Sequence, residues 1–404
     1  MESTTRHTLT HLGAAYALAW ATTSMAVGPG SAALVRLSGN LAFAGLYVAL
    51  FNVGAATGAA LGGRAMDRVG RRLPLIVAYV VAAVGYVVAG IGVQRGVLWL
   101  LVTGAFFLAA SFGTAGLTRL AAAEMFTPAE RGRGVAWVQI AAIFGAVTGP
   151  ALLLVSEPLG RLLGRPPLDL VWFLAPPLLL SAALLVSRAA EPRSIAAAAS
   201  AMNPARVATA PSESFSSPKT IVAATVSLAS SQASMAAVMG VSGAAVAHAG
   251  HGVPVLSTVM LAHFVGMFGL SRFVGRFADR VGRRQTILVG ISLLVIGGVV
   301  VAVVPGVTGY AVGLLLVGLG WSFGFIGSTV LLADATAPER RARVVGRADL
   351  TAQLSAAVIA TGGGWWFASR GVAGLGILAI VVATAPVLLL TFVHESKPGH
   401  LIAR

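Results

Sequence analysis

The sequence predicts an all-α integral membrane protein of twelve transmembrane helices, built as two six-helix bundles that repeat one another. Three observations predict it. The 404 residues are 57% hydrophobic, with a mean hydropathy of +0.88, and only 10% are charged. Apolar runs follow one another along the whole chain, each of the roughly 20 residues that a ~30 Å hydrocarbon core requires. A dense charged phrase is also written twice. GRAMDRVGRR at 63–72 returns as GRFADRVGRR at 275–284, identical at eight of ten positions and 212 residues further on.

The apolar runs number twelve, with centres near Tyr16, Asn52, Ala82, Phe107, Ile143, Leu179, Gln232, Phe264, Val295, Leu316, Val358 and Ile380. Backbone groups find no water in lipid and must bond within the segment, so each run is expected to be helical. The first run begins after about ten residues but lacks a small-residue cleavage pattern leading into a polar chain, so it is read as the first span.

The net charge of +15 reads as topology and not as nucleic-acid binding. With the amino terminus in the cytoplasm, all of the 28 Lys and Arg except Arg36, Arg95, Arg161, Arg165 and Arg370 fall in or beside cytoplasmic segments. That bias is the positive-inside rule. It implies a multi-pass protein of the cell inner membrane with both termini cytoplasmic. The absence of cysteine removes disulfides, thiolate chemistry and Cys-ligated metal from consideration.

Between 189 and 219 hydrophobicity drops to an Ala/Ser/Pro-rich stretch with the composition of a flexible linker. The expected division is therefore a six-helix bundle over 1–188, a cytoplasmic linker over 189–219 and a second bundle over 220–404. A second pair of segments repeats as well: EMFTPAERGRG (124–134) aligns with DATAPERRARV (334–344), setting Glu124 against Asp334 and Arg133 against Arg343. The charged phrase falls between spans 2 and 3 and between spans 8 and 9. The second pair falls between spans 4 and 5 and between spans 10 and 11. Parallel repeats of this kind describe a secondary transporter that rocks about a central site.

Here the residues carry a resemblance, over nearly the whole chain, to the major facilitator superfamily. Its loop pattern is matched by Gly63, Asp67, Arg68, Gly70, Arg71 and Arg72, and again by Gly275, Asp279, Arg280, Gly282, Arg283 and Arg284. Gly63 and Gly275 are read as ending their helices where a neighbour approaches closely. The carboxylates of Asp67 and Asp279 can bond free N–H groups at another helix's N-terminus. By the resemblance, Asp67 would face the start of span 11 near Val344, and Asp279 the start of span 5 near Arg133. Arg68, Arg71, Arg280 and Arg283 are placed to pair with Glu124, Asp334 or Asp349. These residues, with Arg343, form the expected cytoplasmic gate, a latch that holds the halves together and breaks when they rock.

Enzyme classes find no support. The two lysines, Lys219 and Lys397, follow Pro218 and Ser396, so no phosphate-binding loop exists, and no HExxH or GxSxG occurs. No cofactor or metal is implied. His248 and His251 form a lone H-x-x-H in an outer loop, too few ligands for a metal site.

In span 5, GAVTGP resembles the core of the superfamily's antiporter pattern through Gly145, Gly149 and Pro150. The prolyl kink and the two glycines also permit tight packing on a neighbour. The pattern's two further glycines are here Leu153 and Leu154.

All thirteen acids lie near helix ends or in loops, so proton coupling through a midplane carboxylate is not supported. His263 is the remaining titratable candidate, roughly 12 Å deep at helical rise. It is either a proton-responsive group facing the cavity or a neutral ring bonded to a backbone carbonyl.

The uncharged polar residues Asn52, Gln232 and Gln353 reach mid-membrane, with Ser24, Ser111 and Gln139 shallower. Polar groups avoid lipid and should face the bundle interior, bonding either substrate or another helix. Trp20, Met25, Phe107, Met235 and Trp321 add large or soft apolar surface to the candidate cavity.

The expected function is alternating-access transport of a small organic solute by a single chain among membrane lipids. The first reading is efflux of an amphipathic compound, with protons as the coupling ion. The alternatives are a facilitator or importer of a small metabolite such as an organic anion, and a receptor or scaffold that does not transport.

Overall fold

A computed structural model of the chain describes residues 2–125, 131–192, 194–195, 218–336 and 338–393. Among the described residues the regular elements are helices alone. In chain order they are α1 (Glu2–Ser38), a 3₁₀ turn (Leu41–Gly45), α2 (Leu46–Val69), α3 (Arg72–Arg95), α4 (Leu98–Ala115), α5 (Thr118–Glu124), α6 (Arg131–Leu163) and α7 (Pro167–Arg188). The second half continues with α8 (Pro218–Met239), α9 (Ser242–His248), α10 (Val253–Phe268), α11 (Ser271–Val281), α12 (Arg283–Val303), α13 (Gly306–Asp334), α14 (Pro338–Thr384) and α15 (Val387–Leu390).

All twelve expected centres fall on helices, and among the described residues ten helices are long and apolar enough to cross a membrane. Two physical details account for the difference. The 47-residue α14 holds two of the expected spans, because Gly371 leaves helical geometry at φ 63° and breaks it into two arms. The bend is sharp: a Cβ on Gly374 would lie 2.6 Å from the Trp366 ring. Helix α1 is 37 residues long and carries Thr22, Thr23, Ser24, Ser31 and Pro29 among its apolar residues, all of them but the proline buried polar groups. That composition keeps it out of the apolar set.

The chain forms two compact units. One comprises Met1–Gly39, Leu50–Ala210 and His251–Ser257, and the other Asn40–Ala49, Pro211–Gly250 and Thr258–Arg404. Their internal packing repeats. In the first unit α1 packs on α6 and α7, and α3 packs on α4 and α7. In the second α8 packs on α14, and α12 packs on α13 and α14. This is one scheme used twice, as the sequence repeat requires.

Small residues set the helix separations, as expected where packing has no hydrophobic drive from the lipid. On α6, a Cβ at Gly145 would run into the carbonyl of Ala17, and one at Gly149 into Ser24 Oγ and the Ala21 carbonyl. Residues 145–150 are therefore the seam on which α6 sits against α1.

Residues 189–195 were expected to begin the linker, yet Ala189 and Ile195 are buried. The Ala190 N–H donates to Thr8 Oγ1 at 3.3 Å. The end of α7 is thus tied down for several residues beyond the last apolar run.

Candidate functional site

The repeated charged phrase divides into parts with different work. Gly63 and Gly275 do not end helices: they lie inside α2 and α11. A Cβ at Gly63 would have its nearest neighbour at 3.8 Å, and one at Gly275 would meet nothing within 4 Å. The helix-ending glycines are Gly70 and Gly282, with φ of 88° and 105°. This corrects the close-approach role expected of Gly63 and Gly275, for the simple reason that the helix runs on for another turn or two.

Arg71 pairs with Asp67 at 3.2 Å, four residues away on the same stretch, with the Arg71 side chain 6% exposed and that of Asp67 72%. Arg283 donates from Nε to Asp334 Oδ2 at 2.8 Å, one of the pairings expected, and both residues belong to the second unit. Asp349 lies half-buried on α14, while Arg68 and Arg280 lie in the last turns of α2 and α11. The side chains of Glu124, Arg133, Gln139, Asp279 and Arg343 lie outside the described residues.

A carboxylate that the sequence reading passed over completes the first copy. Glu191 accepts the backbone N–H of Arg71 at 2.7 Å through Oε1 and that of Arg72 at 3.0 Å through Oε2. These are free donors at the start of α3, where the helix dipole favours negative charge. The Arg72 guanidinium reaches the Ser187 carbonyl, so the end of α7 and the start of α3 are fastened at two points. The clue in the sequence was an acid directly after a hydrophobic run, hidden because the segment around it reads as linker.

In the second unit three expected cavity residues meet. Trp321 on α13 donates from Nε1 to Gln232 Oε1 on α8 at 2.6 Å. Gln232 Nε2 in turn donates to Gln353 Oε1 on α14 at 3.5 Å. The Trp321 ring stacks on Phe325 at 4.8 Å between centroids, inclined by 20°, and meets Phe268 edge-on at 6.0 Å. Gln232, Gln353 and Phe325 are half-buried, while Met235, one turn from Gln232, is buried at 6%. The result is a stacked aromatic pair, with Trp321 buried beneath the half-buried Phe325, beside a row of uncharged hydrogen-bonding groups.

His263 sits fully buried on α10, with Nδ1 2.9 Å from the Leu314 carbonyl on α13. A carbonyl accepts only, so Nδ1 carries the proton and donates.

The first unit places its candidates differently. Ser111 lines a cavity of about 10 Å³ with Thr22, Thr23, Tyr79, Tyr86 and Phe112, roughly the room one water needs. Ser24 bonds the Ala21 carbonyl within α1 and belongs to the α1–α6 seam. Met25 and Asn52 are buried, Trp20 meets Phe112 edge-on at 5.0 Å, and Phe107 is 47% exposed. One ion pair went unread: Arg36, in the last turn of α1, donates to Asp169 of α7 at 2.7 Å. Arg36 had stood out only as an exception to the charge bias.

Among the described residues no three His, Cys, Asp or Glu side chains gather where a metal ion could be held.

A family model described as Major Facilitator Superfamily matches residues 224–403, and one described as Sugar (and other) transporter matches residues 13–183. The chain belongs to the major facilitator superfamily. It is a secondary transporter of that type and not an enzyme. Among the superfamily's curated members, the uncharacterized MFS-type transporter YdeG of Bacillus subtilis is 29% identical over 329 residues, covering 80% of this chain and 76% of its own. The riboflavin transporter RfnT of Brucella anthropi is 26% identical over 328 residues, covering 78% of this chain and 77% of its own. In fold, the chain resembles the xylose transporter XylE from E. coli in its inward open conformation, with a TM-score of 0.71 at 18% identity. That match covers 98% of this chain and 97% of the other. The human organic anion transporter MFSD10 matches with a TM-score of 0.64 at 15% identity, covering 96% and 99%.

Proposed function

We propose that this superfamily member carries an uncharged, amphipathic organic solute with a flat apolar face across the cell inner membrane. It does so as a single chain, by alternating access, with both termini cytoplasmic. The observation that carries the reading is the Trp321–Gln232–Gln353 row beside the Trp321–Phe325 stack. Amide edges and an aromatic face suit a solute that is planar on one side and hydrogen-bonding at its rim. A cationic solute would need an acid, and two of the acids are already held, Asp169 by Arg36 and Asp334 by Arg283. A relative named for riboflavin is in keeping with an organic solute.

The direction we propose is outward, on the resemblance of Gly145, Gly149 and Pro150 to the antiporter pattern. The reading with a rival claim is a facilitator or importer of a small metabolite. It draws on His263, whose Nδ1 proton is engaged by the Leu314 carbonyl.

Flux in proteoliposomes under an imposed pH gradient tests the proposal, with a lipophilic dye, a neutral amphipath and a small carboxylate as solutes. Uphill movement of the neutral amphipath that collapses with the gradient, and that falls at least tenfold on Gln232→Met, is the expected result. A neutral amphipath that only equilibrates would make the protein a facilitator. Transport of the carboxylate alone would overturn the neutral-solute reading. Asp67→Asn separates a transporter from a scaffold, since only a transporter loses flux while keeping its fold.

A further inference from the structure

The row of polar groups in the second unit has a direction, and the direction selects a partner. An indole N–H donates and never accepts, so the atom 2.6 Å from Trp321 Nε1 has to be the oxygen of Gln232. That fixes the amide of Gln232, turning its NH₂ towards Gln353, and the atom that receives it at 3.5 Å is the Gln353 oxygen. Both amide oxygens then face a donor. One N–H of Gln232 and both N–H groups of Gln353 remain, with no partner among the described residues. The second contact is long for an amide pair, whose usual separation is about 2.9–3.0 Å, so it is a weak bond for which an acceptor on a solute can compete.

We propose that Gln232 and Gln353 form a donor fork that reads a hydrogen-bond acceptor on the solute, a carbonyl oxygen or heteroaromatic nitrogen at the rim of a planar ring. The inference rests on the proposed carrier site and narrows its substrate class. Trp321 acts twice, backing the half-buried Phe325 ring and setting the polarity of the row. A flat solute lying on the Trp321–Phe325 face turns its edge towards the two amides. An edge that offers only N–H groups meets N–H groups and pairs with none of them. A site built to bond a polar edge discriminates strongly against the analogue that cannot answer it.

The test uses three bicyclic probes of similar size: coumarin, which only accepts, indole, which donates in its ring plane, and naphthalene, which does neither. Calorimetric titration of the full-length protein in lipid nanodiscs, against empty discs, gives each affinity. Coumarin is expected to bind about tenfold more tightly than indole or naphthalene, the margin of one net hydrogen bond. Gln353→Met keeps the shape and removes two of the three free N–H groups, so it should shrink the coumarin margin to about threefold or less. Where that variant does not fold, Gln353→Asn, which draws the NH₂ back by one methylene, should shrink the same margin. Trp321→Phe frees the Gln232 amide to turn, and it should move the preference towards indole. Equal binding of coumarin and indole to the unaltered protein, or a margin that Gln353→Met leaves unchanged, overturns the donor fork and leaves the carrier site standing. If no probe binds and Gln232→Met also leaves proteoliposome flux intact, the site itself is overturned.

Discussion

Glu191 holds the backbone N–H of Arg71 at 2.7 Å, seating a carboxylate from beyond α7 on the first turn of α3. The adjoining Gly70 has a φ of 88°, and a Cβ there would press on the Glu191 carboxylate at 3.0 Å, so the turn and its acid fit each other. Charge-assisted bonds to free helix N–H groups are worth about 1–2 kcal/mol together at a half-exposed site. Glu191→Gln should lower the melting temperature in detergent by a few degrees and slow flux while leaving substrate affinity unchanged. Gly70→Ala should do the same or worse. A Glu191→Gln protein indistinguishable from the parent in both assays would show the contact to be incidental.

The α1–α6 seam gives a sharper prediction. Gly149→Ala drives a methyl group into Ser24 Oγ and the Ala21 carbonyl, and overpacking of this kind costs roughly 1–3 kcal/mol. Loss of folded protein, read by size-exclusion profile and thermal melt, is the expected outcome. Ser24→Ala in the same chain should restore part of the loss. Gly275→Ala is the control: with nothing within 4 Å of the new Cβ, it should stay within about 1 kcal/mol of the parent.

Arg36 and Asp169 join the end of α1 to the start of α7, with the arginine side chain 47% exposed and the aspartate 11%. Solvent on the arginine limits the pair to about 1 kcal/mol. Asp169→Asn and Arg36→Gln should each lower the melting temperature slightly, and the double variant should cost less than the two losses added. Additive losses would show that the two side chains are not coupled.

His263 engages a backbone carbonyl through Nδ1, which accounts for the ring as a link between α10 and α13. His263→Gln keeps a donor of similar reach, so flux and its pH profile should stay within about twofold of the parent, whereas His263→Ala should destabilise the fold. A pH profile that moves in the glutamine variant would make His263 the proton carrier after all.

Much of this was legible because membrane physics is severe. Apolar runs near Asn52 or Val295 admit one structure, and the duplicated phrase at 63–72 and 275–284 announces the repeat without any alignment. Individual members of the site were legible too: an amide such as Gln232 in the middle of an apolar run has to face protein. That Gln232 meets Trp321 and Gln353 was not legible, since they lie 89 and 121 residues away and local pattern carries no such information. Glu191 was hidden for a different reason. Its neighbours are alanine and proline, which read as linker, and its partners are backbone groups that have no identity in a sequence. Gly63 and Gly275 misled because a glycine beside charges resembles a helix end. The chain uses Gly70 and Gly282 for that purpose, one turn or more later.

The bend at Gly371 has a mechanical consequence. One arm of α14 carries Gln353, and the other is bolted to α8 and α12, with Ser234 bonding the Ala379 carbonyl at 2.9 Å and Gly376 lying against Gly298. A single residue, Gly371, stands out of helical geometry between the two arms. On the proposed site, a solute held by Gln353 touches only the first arm, and any displacement it imposes reaches the braced arm through a pivot one glycine wide.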